Sequence, residues 1–90
     1  MRLLLIAYAL RTPLKNYSGF YNAIKTNSAH WWHFLNSMFI VSTYHDANEF
    51  AQFLYPHMNK SDSLLVIRIQ PEFQGWLPKD AWDWFEDKDF

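Results

Sequence analysis

Two short apolar runs limit the folds that are open to this chain. Residues 3–9 and 64–69 are almost continuously apolar, and both are far shorter than the roughly 20 residues of a membrane span. Runs of this length are typical of strands that are buried on both faces of a sheet. The sequence therefore predicts a sheet with two apolar faces, each of which must be covered.

Two helices are predicted between the strands. An apolar stripe from Tyr17 to Ile24 follows the i, i+3, i+4, i+7 spacing of one helix face and extends to about residue 26. Asp46 and Glu49 have the spacing of a capping box, which favours the start of a second helix. Its stripe continues toward Pro56, where we expect the helix to kink or end.

A hairpin is predicted between the two helices. Aromatic and β-branched residues fill positions 30–35 and 38–44, and Asn36-Ser37 between them indicates a two-residue turn. The resulting order is β-α-β-β-α-β, the ferredoxin-like plan, with an antiparallel four-stranded sheet and both helices on one face. We therefore predict an α+β domain over residues 1–70 and a C-terminal extension, residues 71–90, that packs on the domain or on a partner subunit.

The second face of the predicted sheet needs a cover that the two helices cannot provide. The candidates are the C-terminal extension, with a short helix from about residue 78 to 86, and a second subunit. The chain has 90 residues and no cysteine, so its small core cannot be reinforced by disulfides, and oligomerisation is the expected remedy. Large aromatic side chains are enriched in interface cores. The predicted dimer-interface residues are Trp31, Trp32, Phe34, Trp76, Trp82 and Trp84.

Charge is distributed unevenly along the chain. Residues 1–70 carry six basic and three acidic side chains, whereas residues 71–90 carry two basic and six acidic ones. The acidic end is interpreted either as a solvated terminus or as a segment that docks on a basic region of its own chain or of a partner. The net charge of -1 excludes a generally basic protein that coats nucleic acid.

Several segments, taken in order over residues 3–85, carry a family resemblance. They are Leu4, Ile6 and Tyr8, then Pro13 with Lys15 to Tyr17, Trp31 to Ser37, Leu64 to Ile67, Gly75 to Pro78, and Trp82 with Trp84. Together they resemble the SinR-like small proteins, ferredoxin-fold relatives of the small subunit of the CRISPR adaptation complex. The resemblance implies a homodimer whose sheets face one another, with the segment after the fourth strand crossing to the neighbour. It also implies that metal-binding aspartates follow a tyrosine at the end of the first strand, where this chain has Tyr8-Ala9.

Catalytic and metal-binding patterns are weak in this sequence. His30 and His33 differ by three positions, so a strand would place them on opposite faces, and a structural role is favoured over a catalytic or metal-binding one. The serines stand outside any Gly-x-Ser-x-Gly turn, and two glycines cannot form a Gly-rich phosphate loop. No cofactor, no catalytic residue and no metal ligand is predicted.

A ligand site is predicted where the first strand leads into the first helix. Arg11, Lys15, Asn16 and Tyr17 cluster at this junction, and backbone N–H groups at a helix start favour anions. Tyr8, at the end of the strand, is placed to stack on a base. The alternative interpretation is that Tyr17 belongs to the core and that the cations are solvated.

These patterns favour binding over catalysis. We predict a homodimeric, non-catalytic module for a nucleotide-type ligand, a nucleic-acid backbone or a protein partner, in a mobile-element or defence setting that the resemblance suggests. The alternative is a metal-dependent endoribonuclease related to the CRISPR adaptation small subunit. An apolar start that is too short for a signal peptide, together with the lack of cysteine, predicts a cytoplasmic protein with no membrane partner.

Overall fold

The structure is a computed structural model that describes residues 1–12 and 15–90; Pro13, part of the family resemblance, lies outside them. The described residues form four strands, three α-helices and one 3-10 turn. In chain order these are β1 (Arg2–Ala9), α1 (Ser18–Thr26), β2 (His30–Trp32), β3 (Met38–Thr43), α2 (Ala47–Leu54), the 3-10 turn (Tyr55–His57), β4 (Ser63–Arg68) and α3 (Lys79–Asp83). No helix in the described part of the chain is both long and apolar enough to cross a membrane.

The four strands form one antiparallel sheet in the order β2-β3-β1-β4. Ile6 of β1 lies opposite Phe39 of β3 on one side and opposite Val66 of β4 on the other. Because β1 has a neighbour on each side and layers above and below it, its residues are apolar on both faces. The predicted α+β class and the four-stranded antiparallel sheet are confirmed.

The first face of the sheet packs against α1 and α2. Alternate residues of β1 and β3 point toward the helices, and each helix turns its apolar stripe toward the sheet. The buried residues of this core are Leu4, Ile6, Tyr8, Phe20, Ile24, Phe39, Val41, Phe50 and Leu54.

Helix α2 begins at the predicted capping box. The Asp46 carboxylate accepts a hydrogen bond from the Glu49 N–H at 2.8 Å, and the Glu49 carboxylate accepts one from the Asp46 N–H at 3.1 Å. Pro56 stands two residues after Leu54, the last α-helical residue, and lies in the 3-10 turn, where its missing N–H costs no α-helical hydrogen bond. This turn lies close to α1, where a Cβ on Gly19 would come within 2.8 Å of the His57 ring, so a larger residue there would require that ring to move.

The hairpin differs from its prediction. Strand β2 ends at Trp32, and a five-residue connection, residues 33–37, replaces the predicted two-residue turn. Ser37 takes a positive φ of 59°, in the left-handed region, and the ring of His33 leaves the strand to stack on Phe39 at 3.9 Å. Asn36-Ser37 is a weaker turn signal than Asn-Gly, and packing of the aromatic rings determines the path of the loop instead.

Candidate functional site

The C-terminal segment, residues 71–90, covers part of the second face of the sheet. Leu3, Trp32 and Ile40 point away from α1 and α2, and Ala81 of α3 completes their buried cluster. The indole N–H of Trp32 donates a hydrogen bond to the Ala81 carbonyl oxygen at 2.9 Å. Helix α3 is shorter than the predicted 78–86 helix, with Pro78 as its N-terminal cap residue. The chain therefore covers part of its second face itself.

A small apolar cavity lies between this segment and the sheet. Its volume is about 210 Å³, and residues of three strands and of the C-terminal segment line it. Gln74 is the polar member of the lining, and its side-chain oxygen accepts a hydrogen bond from the Gly75 N–H at 2.9 Å. The lining residues are Leu5, Trp32, Leu35, Met38, Ile40, Ile69, Phe73, Gln74, Leu77, Trp82 and Phe85.

The other part of the second face is open. We call Leu5 and Ala7 of β1 with Leu65 and Ile67 of β4 the open strip, because these paired residues share the second face on its β4 side, where Leu5 also borders the cavity. Leu65 is 56% exposed and Ile67 is 45% exposed. Large aliphatic side chains that are exposed next to each other on a sheet are typical of an interaction surface.

A hydrogen-bond network occupies the end of the sheet where β4 begins. The carboxylate of Asp62 accepts hydrogen bonds from the Arg11 N–H at 2.8 Å and from the Asn59 N–H at 2.9 Å. The Tyr17 hydroxyl donates to both oxygens of the same carboxylate, each at 2.9 Å. The ammonium of Lys15 donates to the Asn59 side-chain oxygen at 3.0 Å. A carboxylate of the chain itself is thus held by the donors that an external anion would need.

The pKa of Asp62 reflects this network. Desolvation raises the pKa, but the Asn59 and Arg11 N–H groups, the Tyr17 hydroxyl and the charge of Lys15 favour the ionised form. Together they hold the pKa below its ordinary value of 3.8. Asp62 is therefore ionised in the folded protein at any neutral or mildly acidic pH.

Replacing Asp62 by asparagine is expected to lower the urea midpoint of unfolding near pH 7, because an amide cannot accept all the bonds that the carboxylate accepts. A group whose pKa is depressed by folding contributes stability above its unfolded pKa, and that stability is lost as the pH falls through the folded pKa. The difference between the parent protein and D62N should thus be largest above about pH 5 and shrink toward about pH 2. The exposed Asp89 supplies the control variant D89N. A difference that stays the same at both pH values would contradict the proposed role of the carboxylate.

The structure brings together three of the five predicted ligand residues. Arg11, Lys15 and Tyr17 meet around the loop that contains Asp62, and the Arg11 guanidinium donates to the Ser61 carbonyl oxygen and the Ser63 hydroxyl, each at 2.9 Å. The other two, Tyr8 and Asn16, lie elsewhere. The Asn16 side chain accepts a hydrogen bond from the Ser18 N–H at 2.8 Å, at the start of α1.

Tyr8 belongs to the core of the helical face. Its ring centroid lies 5.1 Å from that of Phe20, and only 9% of the residue is exposed. Burial, together with the charge and hydroxyl of Tyr21, raises the pKa of Tyr8 to about 12. A ring in this position packs against neighbouring side chains and has no free face for a base.

The six predicted interface residues have different environments. Trp32 is buried by its own chain, whereas Trp76 is 96% exposed in the loop before α3. Trp31 and Phe34 keep about two fifths of their surface exposed. Trp82 stacks on Phe73, and Trp84 packs on Phe85, so both contribute to the cover of the second face. Of the six, Trp76 has the greatest surface available to a partner.

The acidic end of the chain docks mainly through apolar contacts. Two of its carboxylates pair with lysines of the same segment, Asp83 with Lys79 at 2.8 Å and Asp87 with Lys88 at 2.6 Å. One basic residue of the body takes part, since the Arg68 guanidinium donates to the Phe90 carbonyl oxygen at 2.6 Å.

Histidine and carboxylate side chains are scattered over the molecule. Within residues 1–12 and 15–90, no three of them come close enough to hold a metal ion. Burial and the charge of Lys25 lower the pKa of His33, which favours its neutral form. His45 lies 3.6 Å from the Glu49 carboxylate, one helical turn away at the start of α2.

Sequence reasoning missed the residues that matter most here. Leu65 and Ile67 could have been assigned to the second face from the alternation along β4, in the same way as the residues of β1. Asp62 has no role in the predictions from sequence. Its partners Tyr17 and Arg11 lie 45 and 51 residues away in sequence, so no local pattern indicates the network.

Comparisons with known proteins do not supply a family. No protein-family model, curated protein or solved structure matches the chain. Its function is therefore inferred from the geometry of its own surfaces.

Proposed function

We propose that this protein is a non-catalytic homodimeric binding module with a ferredoxin-like fold, and that a second copy covers the open strip. The fold assignment is supported by the element order and by the strand order β2-β3-β1-β4, which is the order of the ferredoxin-like plan. The observation that supports the dimer is the exposure of Leu65 and Ile67 on the second face, next to the part of that face that the C-terminal segment covers.

The apolar character of the open strip favours a protein surface as its partner. The side chains that remain exposed are aliphatic, and burying the exposed part of each would contribute roughly 1 kcal/mol. In a two-fold dimer each of these free-energy contributions is made twice, because each copy offers the same patch to the other. The second copy is also the partner that is always present where the chain is made.

Our proposal departs in one respect from the dimer that the SinR-like resemblance implies. That dimer needs the segment after the fourth strand to cross to the neighbour. Here the C-terminal segment packs on the sheet of its own chain through Trp32 and Ala81. Membership of the SinR-like family stays a prediction, and the interface proposed here uses the strip that this segment leaves open.

The other predicted functions receive less support from the geometry. A phosphate-bearing ligand at the start of α1 would compete with Asp62 for the Arg11 N–H and the Tyr17 hydroxyl. A metal-dependent nuclease needs hard oxygen ligands near the end of β1, where Ala9 follows Tyr8. Binding between copies requires neither free donors for a phosphate nor oxygen ligands for a metal.

The proposed dimer is tested by light scattering and sedimentation at micromolar concentration. We expect the parent protein to have twice the chain mass of 10.9 kDa. Replacing both Leu65 and Ile67 by lysine should give a folded monomer, because two charges per copy would be buried in the interface without partners.

A matched control replaces Tyr44 and Tyr55, which are 78% and 73% exposed and lie outside the open strip, by lysine. The control adds the same charge and replaces two large side chains that are more exposed than Leu65 and Ile67, and it should remain a dimer. A parent protein that is monomeric at these concentrations would refute the proposal, and so would a dimer that both double variants leave intact.

A further inference from the structure

Strand β4 lies at the edge of the sheet, and among residues 1–12 and 15–90 no strand pairs with its outer side. The Ile69 N–H donates to the Leu3 carbonyl oxygen at 2.9 Å, which extends the ladder to β1 in the register that pairs Leu5 with Ile67. In an antiparallel ladder, alternate residues make the hydrogen bonds to a given neighbour. The N–H and C=O groups of Leu64, Val66 and Arg68 therefore point away from β1, toward the outside of the sheet.

The usual protections of an edge strand are weak in β4. The strand has six residues without proline or lysine, and its one charged residue, Arg68, stands at its end with its guanidinium bonded to Phe90. Natural proteins usually shield such edges with proline, lysine, bulges or a covering segment. An unshielded edge beside the open strip favours pairing with another strand.

We propose that β4 pairs with β4 of a second copy, antiparallel and centred on Val66, to join two sheets into one of eight strands. This inference rests on the proposed dimer and names its interface. A two-fold axis at Val66 lets all three outward residues bond at once: Val66 with the partner's Val66, and Leu64 with the partner's Arg68. Register shifts by two residues would leave some of these groups without partners.

The same register brings the exposed side chains of the open strip together. Leu65 lies directly opposite the partner's Ile67 in a pair without hydrogen bonds, where side chains approach most closely. Both belong to the second face, so the two open strips become continuous across the joint. The exposed side chains, 56% of Leu65 and 45% of Ile67, then pack laterally against the equivalent residues of the other copy.

Charges at the ends of β4 are complementary in this arrangement. The exposed Lys60 precedes the strand and the exposed Glu72 follows it. Antiparallel pairing places the beginning of one strand beside the end of the other, so the turn that carries Lys60 and the segment that carries the partner's Glu72 lie at the same end of the joint. The two Arg68 side chains lie opposite the partner's Leu64 rather than opposite each other, about 14 Å apart along the strand.

The test uses a proline that removes a backbone donor of the outer edge, and an alanine control accounts for the Val66 side chain, which packs against the helical core. Val66→Pro removes an N–H that points away from β1, so the ladder within the chain keeps its bonds, while pairing between copies loses its two central bonds and meets the proline ring. We expect the dimer Kd to rise at least about a hundredfold. Val66→Ala, which also shortens the side chain but keeps the N–H, should change the Kd less than about fivefold.

The outcomes separate this inference from the proposed function. A parent protein that is monomeric refutes both. A dimer that Val66→Pro leaves with an unchanged Kd refutes the β4 joint alone, since the open strip would then be covered in another way. Circular dichroism of each variant shows whether the monomer is folded.

Cysteine cross-linking provides a second measurement that does not depend on the proline variant. The chain has no cysteine of its own, so a single one reports one position. Val66→Cys places two thiols opposite each other with Cα atoms about 5.5 Å apart, within the range of a disulfide, and should give a covalent dimer under mild oxidation. Leu64→Cys, on the same face, places them about 14 Å apart and should not. Cross-linking of Leu64→Cys in preference to Val66→Cys would overturn the register.

Discussion

Replacing Trp32 by alanine is expected to lower the free energy of unfolding by about 3–5 kcal/mol, a large part of the roughly 5–15 kcal/mol that stabilises a small domain. Trp32 is 2% exposed, and its ring holds the C-terminal segment against the sheet. The substitution leaves a cavity and removes the donor that satisfies the Ala81 carbonyl oxygen. Urea unfolding followed by circular dichroism measures the change.

Two further variants separate the contributions of Trp32. Trp32→Phe keeps an aromatic ring and loses the indole N–H, so we expect a smaller cost of about 1–3 kcal/mol. Trp31→Ala removes the neighbouring tryptophan, which is 44% exposed and lies under the Lys25 ammonium, and should cost less than about 1 kcal/mol. Equal effects at Trp31 and Trp32 would contradict the assignment of Trp32 to the core of its own chain.

Ending the chain after Gln70 is expected to abolish cooperative unfolding. The truncation uncovers Leu3, Trp32 and Ile40, and the full burial of each such side chain contributes about 1.5–3 kcal/mol. Their sum is comparable to the whole stability of a domain of this size. Thermal unfolding by calorimetry, together with near-ultraviolet circular dichroism, should show a broad transition and loss of fixed aromatic packing.

The control for the truncation lies within the removed segment. Trp76→Ala changes the most exposed tryptophan, which contributes little to the cover of the second face, and should leave the unfolding transition nearly unchanged. A truncated chain that unfolds with the same sharp transition as the full chain would show that the C-terminal segment is not part of the domain.

Local patterns were sufficient to predict most of the elements. The capping box at Asp46 and the apolar stripe of α1 involve residues within one or two helical turns, where spacing alone specifies the neighbours. The hairpin was predicted less well, since His33 and Phe34 leave the strand to pack on Phe39 and Trp32. Both contacts form within the hairpin itself, and this ring packing overrides the β propensity of the sequence.

The predicted ligand site likewise combines positions that the sequence predicted with a contact that it did not. The positions of Arg11, Lys15 and Tyr17 near one another follow from the order of strand and helix. The Asp62 carboxylate comes from the loop before β4, 51 residues after Arg11 and 45 after Tyr17 in sequence, and converts a group of available donors into a closed network. A cluster of cations and N–H groups in sequence does not reveal whether the fold already provides an anion.

From the sequence alone it followed that this chain builds a sheet with two apolar faces, because period-two alternation places apolar residues on both sides of β1. The pattern could not determine what covers the second face, since a buried face has the same composition whether its cover is an extension of the chain or a second copy. The tertiary structure decided which parts of the second face are covered by the chain itself. Helix α3 and Trp32 cover the part near β2 and β3, and the part along β4 stays open with Leu65 and Ile67 exposed.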